Sequence, residues 1–441
     1  MSLTHPGALM EAFAPSFALL LAGRTLVGLG VGMGSMTTPM YVSELARPSM
    51  RGQLVAVNEL ATALGVLLAF LAGLSLQEKH DGWRWMFGLA AIPAVLQFAS
   101  CAIFPESPKY LSNTGALNEA EAVLYDCRVR RFWLSTRVLV LDDEGLLNRS
   151  KLAPEVYAEI QTLRADAKAT ASTPNEKRQG GSEDDAGATR LLSVGIGLTL
   201  CQQLTGQPTL MYYAVSVFRS AGVTNPTQAA FATVLLGVFK MAGTSFAIMR
   251  IDKWGRRYFL LAGQIGMLIG LFLLIAGFFL QDVAKIQSPL VGALAIFGLT
   301  LFFASYSTGY GPTTWVILSE LFPVAQRGRA MSTAVAVNWG SNLLISITFL
   351  TLVNTIGSLL SFVLYFVIGI GALVFCFYFV PETLGVAPDD LRRRANEGWL
   401  IARVKEEGAS ESVTVAPLHV AALGEDGGFI RFDNCADNSN N

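Results

Sequence analysis

Side-chain amides occur at three places where the surrounding sequence is apolar. The run Gln202-Gln203-Leu204-Thr205-Gly206-Gln207-Pro208-Thr209 interrupts one apolar segment, and 309–315 and 338–342 interrupt two others. Gln and Asn each offer a hydrogen-bond donor and an acceptor, which suits the hydroxyls of a neutral polyol. Amide contacts between helices could explain one such cluster, but three favour a site for a small neutral ligand.

Pro208 and Pro312 indicate that two of these segments are not continuous helices. Proline removes a backbone donor and breaks the hydrogen-bond ladder of a helix interior. We therefore predict that Pro208 interrupts the first segment and permits a gated half-helix, and that Gly309, Gly311 and Pro312 interrupt the second. Asn338 and Asn342 lie one helical turn apart on a shared face.

Three charged residues lie inside apolar segments, where an unpaired charge is costly. Glu59 lies near the middle, along the sequence, of the group of apolar segments to which it belongs. Lys240 lies about ten residues from the nearest basic loop, or roughly 15 Å of helix. That is a long reach for a lysine that extends to the membrane surface, so we predict that Lys240 faces a cavity. For Arg24, a cavity position and an interfacial position are equally compatible with the sequence.

Acidic and basic residues recur at the ends of the apolar segments. Acids contribute little to the orientation of membrane helices, so their regular placement favours an ion-pair latch over ordinary topological charge. Such a latch would bridge helices of one bundle and be released when the bundles rock. The candidate cytoplasmic gate comprises Glu44, Arg51, Asp252, Arg256, Arg257, Glu320 and Arg327.

The composition places these residues in a membrane protein. The 441-residue chain is 52% hydrophobic and 15% charged, with a mean hydropathy of +0.46, whereas soluble proteins carry about 25% charged residues. A net charge of −1 provides no basic surface for nucleic acid. The three histidines and five cysteines show no metal-ligand or CxxC spacing. We predict no enzyme activity, no metal and no cofactor.

Nine segments are long and apolar enough to span a bilayer as helices. They cover about 17–40, 53–76, 84–104, 191–217, 229–250, 257–280, 289–317, 329–353 and 358–380. The loops that contain Arg51, Arg256 and Arg327 carry more Lys and Arg than the opposite set, which places them in the cytoplasm. With nine spans, the C-terminus is then cytoplasmic as well.

The chain contains an internal repeat. Glu44 recurs as Glu320 and Pro105 recurs as Pro381, both 276 positions later, with Arg-Gly and Pro-Glu motifs at matching spacings. The second copy has three further helices upstream, whose counterparts would precede Met1. Because transporters are commonly built from internal repeats, we predict a parent of six plus six helices of which this chain lacks the first three.

The predicted fold class is therefore an all-α polytopic membrane protein of two pseudo-symmetric helix bundles, with nine spans. The predicted domains are a remnant of the N-terminal bundle with three helices, a cytoplasmic inter-bundle loop, a six-helix C-terminal bundle and a cytoplasmic tail. Their boundaries are 1–104, 105–190, 191–380 and 381–441.

The motifs as a set resemble the sugar-porter family of the major facilitator superfamily. They are Gly23-Arg24, 39–44, Arg51-Gly52, 105–111, 202–206, 252–257, 311–315, 320–323, Arg327-Gly328, Asn338-Trp339 and 381–383. Within that family, Gln207-Pro208, Glu59, Lys240 and 338–346 are most similar to the animal facilitated glucose transporters of types 10 and 12.

The resemblance implies the major-facilitator fold and a hexose bound between the two bundles. It implies sugar-binding roles for Gln202, Gln203, Trp315, Asn338 and Asn342. The glutamine that the family carries on its fifth helix is Glu59 here. A further family asparagine aligns with Pro208 or Thr209, so Thr209 completes the candidate set.

Two hypotheses follow from these observations. The first is transport of a glucose-like hexose by alternating access, either facilitative or coupled to protons, in the plasma membrane or an endomembrane. Its partners are a small neutral sugar, protons in the coupled case, and the lipid bilayer. The alternative is an N-terminally truncated isoform or fragment that does not transport and that associates with or regulates full-length sugar transporters.

Overall fold

A computed structural model describes residues 4–46, 51–101, 103–129, 160–162, 164, 186–223, 225–285, 289–322, 324–386 and 388–396. The regular structure in these ranges is α-helical. The helices before residue 130 are α1 Thr4–Ala12, α2 Phe17–Leu45, α3 Arg51–Leu76, α4 Gly82–Leu89, α5 Ala91–Cys101, α6 Pro108–Asn113 and α7 Leu117–Val129. We call them the N-terminal half.

The helices after residue 185 form the C-terminal half. They are α8 Ala186–Leu204, α9 Gln207–Tyr212, α10 Ala214–Ser220, α11 Pro226–Trp254, α12 Arg256–Asp282, α13 Pro289–Thr308, α14 Tyr310–Leu321, α15 Val324–Phe379 and α16 Pro388–Asn396. Much of the predicted inter-bundle loop and most of the predicted tail lie outside the described residues, so the four domain boundaries stay predictions.

Seven helical stretches in the described part of the chain are long and apolar enough to cross a membrane. They are Phe17–Val42, Val57–Leu76, Gly82–Cys101, Pro226–Trp254, Arg256–Asp282, Pro289–Leu321 and Gly328–Phe379. The last one breaks at Gly357, where φ is 84° and ψ is 165°, between the two spans predicted there. The predicted span 191–217 is not among the seven, so the count of nine stays a prediction.

The break in the segment that contains the first amide run lies at Gly206, and the prediction of a break at Pro208 is wrong. Helix α8 ends at Leu204, and Gly206 adopts φ 84°, a left-handed conformation that glycine reaches without a steric penalty. Pro208 lies in the first turn of α9, where its missing N–H has no intrahelical partner to lose. The predicted interruption near Pro312 lies at Gly309, between α13 and α14.

The predicted span 84–104 is also divided. Helix α4 ends at Leu89 and α5 begins at Ala91. Pro93 has no N–H to donate to the Leu89 carbonyl, so the hydrogen-bond ladder weakens at this point. The two pieces together still form one of the seven stretches.

Small residues let the helices of the C-terminal half approach one another closely. A Cβ on Gly270 would lie 2.6 Å from the Gly298 carbonyl oxygen, and one on Gly298 would lie 2.7 Å from that of Gly270. Helices α12 and α13 therefore meet backbone to backbone, as small residues permit in membranes. The core beside them is built from large side chains, among them Phe218, Phe278, Phe302, Phe362 and Tyr310.

The two halves contact each other through helices of both. Helix α3 packs against α11 and α14, and α2 packs against α15. The Trp339 indole donates to Ser35 Oγ at 3.0 Å across the second of these contacts. Residues on α3 therefore face the C-terminal half directly.

The internal repeat is also visible as a repeated contact. The Ser107 hydroxyl donates to the Glu44 carboxylate, and the Thr383 hydroxyl donates to Glu320 Oε2 at 2.5 Å. Each residue of the second pair lies 276 positions after its counterpart in the first. The two halves therefore contain the same hydroxyl–carboxylate hydrogen bond at equivalent positions of the repeat.

Candidate functional site

Two pairs of amides connect the end of α8 to the middle of α15. Asn338 Nδ2 donates to Gln202 Oε1 at 3.0 Å, and Asn342 Nδ2 donates to Gln203 Oε1 at 3.5 Å. We call these four residues the amide ladder. Asn338 and Asn342 contribute one member to each pair because they are one helical turn apart on α15.

The break at Gly309 connects the amide ladder to α14. The Gln202 amide donates to the Tyr310 carbonyl oxygen at 3.1 Å, in the first turn of the helix that restarts after Gly309. Gln202 is 2% exposed and Asn338 is 7% exposed. The ladder is therefore an arrangement of mostly buried amides next to two interrupted helices, and each of the four side chains has a hydrogen-bond partner, as buried polar groups require.

Trp315, Glu59 and Lys240 lie on the side of this site that faces the N-terminal half. The Trp315 side chain lies against the Glu59 carboxylate, and Glu59 and Lys240 attract each other electrostatically. Glu59 Oε2 lies 3.9 Å from the position that a Cβ on Gly311 would take. Lys240 is 6% exposed, so its side chain does not extend to the membrane surface, and its predicted cavity role stays a prediction.

Tyr306 connects these charges to the amide ladder, although no sequence pattern points to it. Lys240 Nζ lies 5.3 Å from the centre of the Tyr306 ring, and the Tyr306 side chain also contacts Gln202. A tyrosine in an apolar run is most often a core residue, so the pattern alone does not single out Tyr306.

Thr209 lies beside the helix break and not in the amide ladder. It is fully buried, its hydroxyl donates to the Gly206 carbonyl oxygen at 3.0 Å, and it contacts Tyr365. The structure gives Thr209 contacts that support the turn, and a sugar-binding role for it stays a prediction.

The C-terminal half contains an ion-pair network at the junction of α11 and α12. Arg256 Nη2 lies 2.8 Å from Asp252 Oδ1 and 2.9 Å from Glu320 Oε1. The Thr383 hydroxyl donates to the same Glu320 carboxylate. We call these four residues the gate network. It bridges helices of one half, and its role as a latch stays a prediction.

Glu382 supports the gate network by capping α12, and it was not among the predicted site residues. Its carboxylate accepts the backbone N–H groups of Arg256 and Arg257 at 2.9 and 3.1 Å, which the positive end of a helix favours. Gly255 permits this cap, because its φ is 92° and a Cβ there would lie 2.4 Å from Glu382 Oε2. The repeated motif at 381–383 contained a signal for this role.

The other predicted gate residues have separate surroundings. Arg257 donates to the Phe377 carbonyl oxygen at 2.5 Å, and Glu44 accepts from Ser107. The side chains of Arg51 and Arg327 lie outside the described residues.

Arg24 lies among the N-terminal helices. Its Nε lies 3.6 Å from Glu11 Oε1, and its guanidinium carbon lies 4.4 Å from the centre of the Phe87 ring. The structure does not bring Arg24 to the amide ladder, because its contacts are with α1 and α4. Its predicted cavity role stays a prediction.

A cavity of about 1170 Å³ lies away from the amide ladder. Its lining includes Leu74, Phe231, Gln281 and Ile296. Gln281 is near the end of α12 while Arg256 begins that helix, so the cavity and the gate network lie at opposite ends of α12. We place the candidate site at the ladder because polar groups converge there, whereas this lining is mainly apolar.

A family described as "Sugar (and other) transporter" matches residues 2–393 of the chain. The chain belongs to this family. The membership confirms the resemblance to the sugar porters of the major facilitator superfamily, and the transporter is therefore a multi-pass integral membrane protein.

Individual relatives agree with this membership. The transporter is 33% identical to the "D-xylose-proton symporter-like 2" of Arabidopsis thaliana, over 88% of this chain and 73% of that protein. It is 29% identical to the facilitated glucose transporter member 10 of Xenopus laevis, over 87% of this chain and 77% of that protein. These relatives are transporters and not enzymes.

A solved structure shows the same fold. The proton:xylose symporter XylE, bound to 6-bromo-6-deoxy-D-glucose, matches with a TM-score of 0.68 at 28% identity. The match covers 89% of this chain and 80% of that one. The predicted all-α major-facilitator fold is confirmed.

Proposed function

We propose that this chain transports a hexose, with D-glucose as the first candidate, across a membrane by alternating access. The sugar would bind between the two halves, at the amide ladder and beside Trp315 and Glu59. The observation that carries the proposal is the ladder itself. Its two amide pairs present donors and acceptors together at the end of an interrupted helix, which is what the alternating hydroxyls of a sugar need.

Trp315 and Glu59 add two further properties to this site. An indole ring offers an apolar surface to the face of a sugar ring. A carboxylate accepts strong hydrogen bonds from hydroxyls, stronger than those of a neutral acceptor. The relatives named above, which transport xylose or glucose by their descriptions, support a monosaccharide as the substrate class.

The gate network supplies the second part of the proposed mechanism. Asp252, Arg256 and Glu320 join α11, α12 and α14 at one end of the C-terminal half. We propose that this end is cytoplasmic and that the network is intact when the site opens to the outside. Rocking of the halves towards the inside would release it, as in transporters that move one bundle against the other.

Uptake into proteoliposomes tests the proposed function. The purified full chain should take up radiolabelled D-glucose with saturation and should discriminate against L-glucose. An imposed pH gradient separates the two modes, because it drives accumulation only in a proton-coupled transporter. The Gln202→Ala/Asn338→Ala chain is the negative control.

Failure of uptake has two distinct meanings in this design. A chain that is folded by circular dichroism but neither binds nor transports D-glucose contradicts the proposal. A chain that binds D-glucose and changes the uptake of a co-reconstituted full-length sugar transporter, without transport of its own, supports the alternative regulatory hypothesis.

A further inference from the structure

Glu59 and Lys240 come from different halves of the molecule, and both lie beside the candidate site. Glu59 is on α3, Lys240 is on α11, and these two helices pack against each other. The approach is close, because a Cβ on Gly237 would lie 3.1 Å from Leu67 Cα. The two charged residues therefore lie on closely packed helices at the interface between the halves.

The surroundings of Lys240 are those of a buried cation near an acid. Its ammonium group lies over the Tyr306 ring, it is almost completely buried, and Glu59 is the acid that attracts it. A buried ammonium needs a compensating anion, because its desolvation is expensive. Glu59 in turn contacts the Trp315 side chain.

We propose that Lys240 is a positioning residue of the sugar site. It holds the Glu59 carboxylate, across the interface between the halves, so that Glu59 accepts a hydrogen bond from one particular sugar hydroxyl. This inference rests on the proposed function. It makes recognition of that hydroxyl depend on contact between α3 and α11, because Glu59 is correctly placed only while the two helices are packed together.

A panel of monodeoxy-D-glucose analogues tests the inference through specificity. Binding to the purified full chain is measured for D-glucose and for each analogue. One analogue should bind about tenfold more weakly than D-glucose, because it lacks the hydroxyl that donates to Glu59. Glu59→Gln and Lys240→Met should each reduce the discrimination at that same position to about threefold or less, and leave the rest of the panel in the same order.

A control variant and a double variant separate positioning from general damage. Lys253→Met removes an exposed lysine from the same helix and should leave the panel unchanged. The Glu59→Gln/Lys240→Met chain should distinguish D-glucose from that analogue at least as well as either single variant does. The reason is that both substitutions affect recognition of the same hydroxyl. Its thermal midpoint should exceed that of Lys240→Met, since replacing both charges leaves no unpaired buried charge.

The possible results give clear decisions. Uniform weakening across the panel in Lys240→Met, or loss of discrimination at different hydroxyls in the two single variants, overturns the inference. Additive loss of thermal stability in the double variant also overturns it. If the unsubstituted chain binds no sugar, the proposed function fails, whereas non-additive thermal midpoints would still support the pair.

Discussion

At the scale of single residues, a sugar can bind at the amide ladder only by replacing hydrogen bonds that the ladder already makes. Gln202 accepts from Asn338 and donates to the Tyr310 carbonyl oxygen. A sugar that enters must exchange these hydrogen bonds for bonds to its own hydroxyls. The exchange is close to balanced only if every buried group finds a new partner, because an unsatisfied buried donor or acceptor costs about 1–3 kcal/mol.

Removing the first ladder pair should therefore weaken sugar binding. We expect Gln202→Ala or Asn338→Ala to raise the dissociation constant for D-glucose about tenfold, the effect of losing one good hydrogen bond. Binding is measured on purified protein, and abundance in the membrane is measured in parallel. Gln264→Ala is the control, because Gln264 is a buried amide that donates to the Gly369 carbonyl oxygen outside the ladder. Equal loss of abundance and binding would indicate a structural role.

Glu11 gives the stability of the N-terminal helices a dependence on pH. Burial raises the pKa of the Glu11 carboxyl above its ordinary value of 4.5, and the Arg24 guanidinium opposes that rise. A raised pKa means that the folded chain binds the proton more tightly than the unfolded chain. The stabilisation is therefore complete below the unfolded pKa and is lost as the pH rises through the folded pKa.

Glu11→Gln should remove this dependence. Because the variant stays neutral, its thermal midpoint should match that of the unsubstituted chain near pH 4.5 and exceed it increasingly towards about pH 7. Midpoints are measured in detergent across that range. Glu119→Gln changes an exposed acid of α7. Its thermal midpoint should match that of the unsubstituted chain at every pH in this range. If the thermal midpoint of Glu11→Gln differs from that of the unsubstituted chain by the same amount at every pH, ionisation of Glu11 does not cause the pH dependence.

At the scale of elements, two interrupted helices form the site. Gly206 separates α8 from α9, and Gly309 separates α13 from α14. The Gln202 amide, near the first interruption, donates to the Tyr310 carbonyl oxygen, directly after the second. Non-helical backbone at membrane depth is tolerated where it is buried in protein, as it is here.

Gly206→Ala should destabilise the protein. The substitution forces a Cβ into φ 84° and places it 2.8 Å from Tyr365 Cδ1. A strained left-handed residue costs about 1–3 kcal/mol, so we expect the thermal midpoint to fall by several degrees and D-glucose binding to weaken. Gly371→Ala is the matched control, because no atom lies within 4 Å of a Cβ there. Equal midpoints for the two variants would show that the break does not require glycine.

At the scale of the whole molecule, the two halves share a repeated contact, and the C-terminal half contains the gate network. The hydroxyl–carboxylate pairs Ser107–Glu44 and Thr383–Glu320 occupy equivalent positions of the repeat. In the C-terminal half, Arg256 adds charge to the pair. The network is at a helix end and the amide ladder is inside the bundle, so changes in the gate should affect motion more than affinity.

Arg256→Ala tests this separation. We expect the maximal rate of D-glucose exchange to fall about tenfold while the dissociation constant changes less than about twofold. The reason is that the conformation with the gate network closed loses the ion pairs of the buried Arg256. Counterflow in proteoliposomes gives the rate, and binding in detergent gives the constant. Lys253→Ala, an exposed cation three positions earlier, is the control. A proportional loss of rate and affinity would contradict a gating role.

The site could be predicted from the sequence only in part. The amides of the ladder, the acid Glu59 and the gate acids stood out because polar groups in apolar segments are costly and therefore conspicuous. Tyr306 and Glu11 did not stand out, since a tyrosine in an apolar run and an acid near a terminus are both ordinary. The break at Gly206 was assigned to Pro208, because proline signals a helix break more strongly than a glycine whose backbone angle is unknown.

The sequence by itself determined the helical membrane fold, the repeat of 276 residues and the residue types of the site. Hydropathy and spacing are local properties, and a bilayer excludes almost every alternative to a helix for such segments. Only the tertiary structure decided that Gln202 meets Asn338, that Lys240 lies over Tyr306, and that Arg24 pairs with Glu11. Each of these partners depends on how separate helices pack, and packing is set by side-chain volumes and close backbone contacts that no single segment contains.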